Sequence, residues 1–241
     1  MLDGNYFMHI TSRQLELAVD RRERETVILL HGLARTSRSM GKLERELKKA
    51  GYQILNVGYP SRRHSIAHLA DTVLADSVNR CQKKKGLAGP LHFVTHSMGG
   101  ILVRQYLATH SVENLGKVVM LAPPNHGSEI VDRLGDRWWF RWFNGPAGCS
   151  LGTGPDSVPS RLGPADYLLG IIVGNLSLDP VFSRMIPGPG DGKVSVASAR
   201  LQGMLDFKVV PHGHAFIMNW NEVIRMVVYF LQHGRFEPED R

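Results

Sequence analysis

One feature restricts the fold of this chain more than any other, and it is an alternation. From residue 26 onward, short β-rich apolar runs take turns with longer stretches of helical periodicity, the pattern of a parallel sheet with helices laid on its faces. Six runs are predicted as strands: Thr26–Leu30, Gln53–Val57, Leu91–Thr95, Lys117–Leu121, Leu168–Val173 and Phe207–Val210. The first, third and fourth are almost continuously apolar, as expected of strands covered on both sides. Helical intervals fall at Met40–Ala50, at Ser65–Gln82, after Ser97, after Gly127 and at Asn221–Gln232. Ile66, Leu69, Val73, Leu74 and Val78 recur at near-helical spacing, and so do Val223, Ile224, Val227, Val228 and Leu231. Each of these helices therefore has one apolar side to lay on the sheet. The expectation is an α/β fold with a mostly parallel six-stranded sheet and helices on both faces.

One stretch departs from the alternation. Gly127 to Asp166 carries Trp138, Trp139, Phe140, Trp142 and Phe143, followed by residues rich in Gly, Pro and Ser. It reads as an excursion from the sheet. Either it is a small lid or apolar wall with Arg141 facing water, or it is a helix packed on the body through Trp138, Trp139 and Trp142.

The length of 241 residues, with 43% hydrophobic and 21% charged, suits one globular domain that needs no disulfide or metal to hold its core. The expected organisation is an N-terminal extension at 1–25 and a single domain at 26–241 that contains the lid-like excursion at 127–166. Cys81 and Cys149 match no zinc or redox spacing; they read as free thiols and favour a reducing, cytoplasmic setting. Met1–Glu25 lacks the layout of a secretory signal, and no apolar run approaches the ~20 residues a membrane span requires. The net charge of +7 is spread over short clusters at Arg21, Arg22 and Arg24, at Arg62 and Arg63, and at Lys83–Lys85. Such clusters, not interleaved with aromatics, argue against a nucleic-acid partner and leave a transient membrane-surface contact open. The oligomeric state is not set by these residues.

Four segments carry chemistry. The run from Leu91 to Gly100, Leu-His-Phe-Val-Thr-His-Ser-Met-Gly-Gly, followed by Ile101–Leu107, is a strand, a tight turn and a helix. A serine hydroxyl is a poor nucleophile unless it is exposed, oriented and next to a base, and such a turn supplies the first two conditions at Ser97. Gly99 and Gly100 let the helix approach the strand, and the unpaired N–H groups of the helix N-terminus then lie beside the serine. A second segment, Val27–Leu33, is a buried strand ending in His31-Gly32. A third, Phe207 to Ile217, brings two imidazoles, His212 and His214, into a loop just before the last helix. The fourth, Pro187 to Ser198, contains Asp191 in a Gly-rich turn; Asp179 also lies beyond a strand. His126 has no ligand partner at a recognisable metal spacing.

Thr95-His96-Ser97-Met98-Gly99 resembles the G-x-S-x-G nucleophile elbow of the α/β-hydrolase family, with Thr95 where the family usually has Gly. The other segments follow in the family's order, and the resemblance covers about residues 26 to 233. It implies a compact α/β-hydrolase fold of the bacterial lipase or carboxylesterase form. It also implies Ser97 as nucleophile, His214 as base with His212 in competition, and Asp191 as acid with Asp179 as runner-up. Leu33 and Met98 would give the oxyanion-hole N–H groups, His31 would bond to backbone, and Trp138, Trp139 and Trp142 would contact substrate. No cofactor and no metal is expected. The implied reaction is hydrolysis of a small-molecule or lipid ester, with thioesterase, amidase, acyltransferase or a non-catalytic binding module as alternatives on the same fold.

Overall fold

The computed structural model describes residues 25–83, 89–177 and 184–238. The N-terminal extension before Glu25, the basic residues Arg21, Arg22, Arg24, Lys84 and Lys85, and the alternative acid Asp179 lie outside the described residues.

The six strands are β1 Thr26–Leu30, β2 Gln53–Val57, β3 Leu91–His96, β4 Leu115–Leu121, β5 Leu169–Gly174 and β6 Asp206–Val210. They form one sheet in the order β2-β1-β3-β4-β5-β6, and every pairing is parallel. Each predicted strand is found within one or two residues of its expected bounds. The largest difference is at β4, which begins at Leu115, where a bulge shifts its register against β3 between Leu91 and Phe93. Its cause is His92, whose Nδ1 accepts the Lys117 N–H at 2.8 Å and so takes over a ladder position.

Because a strand turns alternate side chains to opposite faces, β1 supplies both cores at once. Ile28 and Leu30 join Phe93, Val118, Met120 and Ile171 under the helical run Ile66–Leu69, Ala70–Leu74 and Ala75–Lys83 (α2) and under α3, Met98–Leu107. Val27 and Leu29 join Val94, Val119 and Leu121 on the other face, covered by α1, Gly41–Lys49, through Leu43 and Leu47. The last helix, Asn221–His233, covers the same face through Val223, Val227 and Phe230. The middle turn of α2, Ala70–Leu74, is a π turn.

The strand order reverses at β1, with β2 on one side and β3 on the other. The crevice outside the carboxyl ends of two strands that part in this way is the natural ligand site of an open α/β sheet. It is where the segments after Leu30 and after His96 meet.

The excursion contains α4, Glu129–Leu134, then α5, Trp138–Cys149, and a single turn at Val158–Arg161. Gly145 interrupts α5 with φ of 63°, just before Pro146. Of the five aromatics only Phe140 turns inward, against Ile130 and Ile186, while Trp138, Trp139, Trp142 and Phe143 are exposed. Of the two expectations for this stretch, the helix packed through its tryptophans is the one the structure contradicts. Residues 138, 139, 142 and 143 share the arc of the helix away from Phe140, and one inward side chain fixes the rotation of the whole segment. The far end of the excursion is tied to α3 by Arg104, buried, whose guanidinium donates to the carbonyls of Asn125 and Leu162, both at 2.7 Å, and of Gly163 at 3.2 Å.

Candidate active site

Ser97 stands between the last residue of β3 and the first of α3, in a backbone conformation with φ of 53° and ψ of −124°. A non-glycine residue held there stores about 1–3 kcal/mol of strain, which surrounding contacts must hold in place. They are close ones. The Ser97 N–H donates to the Leu121 carbonyl at 2.8 Å and its own carbonyl accepts from Gly100 N–H at 2.9 Å. A Cβ at Gly99 would lie 2.8 Å from the Leu30 carbonyl oxygen, and one at Gly32 would lie 3.1 Å from Cβ of Ser97. The elbow therefore fits only because Gly99 and Gly32 lack side chains, while Thr95 fits two residues before the serine as a fully buried strand residue.

The three chemistry-bearing side chains arrive from separate loops and meet. The Ser97 hydroxyl lies 3.0 Å from Nε2 of His214, and Nδ1 of His214 lies 2.8 Å from Oδ2 of Asp191. A carboxylate only accepts, so the proton sits on Nδ1 and Nε2 is left bare toward the serine hydroxyl. The other oxygen of Asp191 accepts the backbone N–H of Lys193 at 3.0 Å and of Val194 at 2.9 Å. Its side chain is sealed from solvent. The Asp191 carbonyl in turn accepts the His214 N–H at 3.0 Å, so the two loops are bonded by both main chain and side chain. Serine and imidazole remain part-exposed.

The competing imidazole is engaged elsewhere. His212 points its Nε2 at Glu222 and stacks on Trp220 with ring centres 4.2 Å apart. His126 is exposed on the loop after β4.

Around this chain lie supporting groups, of which sequence reading singled out only His31. His96 is fully buried and its Nε2–H donates to the His214 carbonyl at 2.9 Å. Burial first, and then the neighbouring His214, keeps its pKa well below the ordinary imidazole value, so it is a neutral donor; its Nδ1 has no partner among the described residues. On the other side, His31 bonds through Nδ1 to the Gly32 carbonyl at 2.9 Å, receives the Tyr59 N–H at 3.3 Å and stacks on the Tyr59 ring at 4.1 Å. Ser61 accepts the Ala34 N–H at 3.0 Å. These contacts hold the turn that presents Leu33, while Met98 opens α3 and so has an N–H with no intrahelical acceptor. Arg35 lies over the Phe216 ring at 5.3 Å and links this turn to the His214 segment. The position of His96, directly before the serine, was visible in the sequence; Ser61 and Tyr59 gave no signal.

Two cavities among the described residues have volumes of about 470 and 200 Å³. The larger is lined by the C-terminal end of α3 with His110 and Tyr167, the smaller by Asn175, Ser177 and Gly188–Gly190, and neither includes Ser97. No group of three or more His, Cys, Asp or Glu side chains that could hold a metal ion occurs among the described residues, and none of the described helices is long and apolar enough to cross a membrane.

A family model described as alpha/beta hydrolase fold matches residues 25–148. No curated protein matches the chain. Among solved structures, a Bacillus licheniformis lipase in mature form aligns over 87% of this chain and 91% of its own, at 20% identity and a TM-score of 0.65. A phospholipase from Legionella pneumophila aligns over 88% of this chain but only 57% of its own, at 20% identity and a TM-score of 0.63. An esterase from Pyrococcus furiosus aligns over 87% and 83%, at 16% identity and a TM-score of 0.61. At such identities the likeness is one of fold.

Proposed function

From the premise that the chain belongs to the α/β-hydrolase fold family, we propose that it is a serine hydrolase of carboxylic esters that works through an acyl-enzyme on Ser97. The observation that carries this reading is the unbroken chain of hydrogen bonds from the Ser97 hydroxyl through His214 to the buried Asp191.

In the first half of the reaction Ser97 Oγ bonds to the ester carbonyl carbon, and its proton passes to Nε2 of His214. The negative carbonyl oxygen turns toward the N–H groups of Leu33 and Met98. Each such donor is worth about 3–4 kcal/mol of the barrier when it is fixed in advance, which is the use of the Ser61, His31 and Tyr59 contacts beneath the Leu33 turn. As the tetrahedral centre collapses, the C–O bond to the alcohol breaks and His214 returns the proton to the leaving oxygen. Water then repeats the sequence on the acyl-enzyme and releases the acid. Asp191 fixes the imidazole tautomer and offsets the imidazolium charge at both stages. Trp138, Trp139 and Trp142, with Phe143, are exposed apolar rings, and as contacts for the substrate they would favour esters with a hydrocarbon chain.

The test is a substrate panel: p-nitrophenyl esters of rising chain length, a thioester and an amide, with Ser97→Ala as the blank. The proposal expects ester turnover that the variant lacks. Turnover of the thioester or amide in preference would move the assignment to another acyl-transfer reaction, and no turnover above the blank would remove it.

A further inference from the structure

The first two turns of α5 are amphipathic in the reverse of the usual sense. Trp138 is 79% exposed, Trp142 73%, Phe143 56% and Trp139 43%, whereas Phe140 alone is buried. At about 100° per residue these four rings fill one outward arc of roughly 140°. Four large aromatic side chains held together in water are costly unless something covers them. Around the rings stand exposed cations. Arg137 precedes the helix, Arg141 lies within it, and Arg62, whose guanidinium donates to the Phe143 carbonyl at 3.4 Å, is followed by Arg63. Among the acids nearby, Asp132 is engaged with the Thr153 N–H at 2.9 Å and hydroxyl at 2.7 Å, leaving Asp136 as the exposed carboxylate closest in sequence.

We propose that this face of α5 docks on an anionic lipid bilayer. The rings enter the boundary between headgroups and acyl chains, and the arginines meet the negative headgroups. The charge decides between occupants: a second copy of the chain would set these arginines against one another, and an uncharged apolar partner would leave them without a role. The surface also adjoins the catalytic crevice. On the aromatic side of the Gly145 break the Phe143 carbonyl accepts from Arg62, the neighbour of the Ser61 that holds the Ala34 N–H, and beyond the break a Cβ at Gly148 would lie 2.7 Å from Leu33 Cδ2, so the segment meets the turn that would hold the oxyanion from both sides of the break. Docking therefore sets the rim of the site against the lipid. The inference stands apart from the reaction proposed above, because binding is read without turnover.

The experiment uses the full chain and vesicles of phosphatidylcholine alone or mixed with phosphatidylglycerol. Three of the four tryptophans lie on the patch, so their fluorescence reports entry into lipid, and co-sedimentation reports affinity. The expected result is a blue shift and co-sedimentation with the mixed vesicles, weakening as salt is added. Arg137→Gln with Arg141→Gln should weaken binding about 25-fold, at about five-fold per arginine. Trp138→Ser with Trp142→Ser should abolish it, and since these rings are exposed the thermal midpoint should hold. Equal affinity for the two vesicle types, no binding to either, or a dimer that the same variants disperse would each overturn the proposal.

Discussion

Lowering the pH from 7 to 5 offers a proton to His96 in the unfolded chain that the folded chain is built to refuse. In the fold its ring is buried, its Nε2–H is committed to the His214 carbonyl, and Nδ1 has no acceptor within reach. Protonation would place an unpaired N–H and a charge in the core, beside His214, Arg35 and His31. The folded pKa is therefore depressed below the ordinary value of about 6.5. For a base depressed in this sense, stability is full above the unfolded pKa and falls as the pH drops below it. With the folded imidazole unprotonated throughout, one such group costs about 0.2 kcal/mol at pH 7 and about 2 kcal/mol at pH 5. His31, also held low by burial, adds in the same direction. Glu44, lowered by its hydrogen bonds to Lys48 and Asn56, acts only at lower pH, in the carboxylate range. The assay is denaturant unfolding of the wild type and of His96→Gln, which keeps an N–H donor and cannot titrate. The stability gap between them should narrow by about 2 kcal/mol between pH 7 and pH 5. A gap that stays constant would refute the reasoning.

Three further outcomes follow from the same geometry. Asp191→Asn keeps an acceptor for the Lys193 and Val194 N–H groups but offers His214 an amide, so steady-state kinetics should show kcat down by about 10⁴-fold with the fold intact; a fall under about ten-fold would remove Asp191 from the site. His214→Ala should lower kcat by orders of magnitude while His212→Ala, which breaks only the contacts with Glu222 and Trp220, should leave most of it, and the reverse ranking would reassign the base. Arg104→Lys loses the planar fork that serves the Asn125, Leu162 and Gly163 carbonyls and should cost about 3 kcal/mol in urea unfolding; an unchanged midpoint would show that this tie bears no load.

The sheet was legible because its strands are apolar on both faces: Val27 and Leu29 serve one core and Ile28 and Leu30 the other, a pattern that needs no knowledge of the partners. The start of β4 was not, because the bulge depends on the ring of His92 reaching Lys117 from the neighbouring strand. Ser97, His214 and Asp191 could be chosen because their segments resemble those of the α/β-hydrolase family in motif and in order along the chain, with His212 and Asp179 left as competitors. What separates His214 from His212 is the position of Glu222 and Trp220, which only the packing of the last helix sets. The orientation of α5 was hidden for a similar reason. Five aromatics in a row of six positions state that the segment is apolar, but the contact of Phe140 with Ile130 and Ile186 decides which side faces water. Ser61 and Tyr59 reach the Leu33 turn only because β2 pairs with β1, and no local pattern announces that.

The most direct measurement is to treat the intact protein with a fluorophosphonate and locate the adduct by peptide mass spectrometry. A serine activated by an imidazole in turn held by a carboxylate should yield one adduct, on Ser97, absent from Ser97→Ala and greatly slowed in His214→Ala. Failure of Ser97 to react, or labelling that persists unchanged when either residue is replaced, would contradict the account.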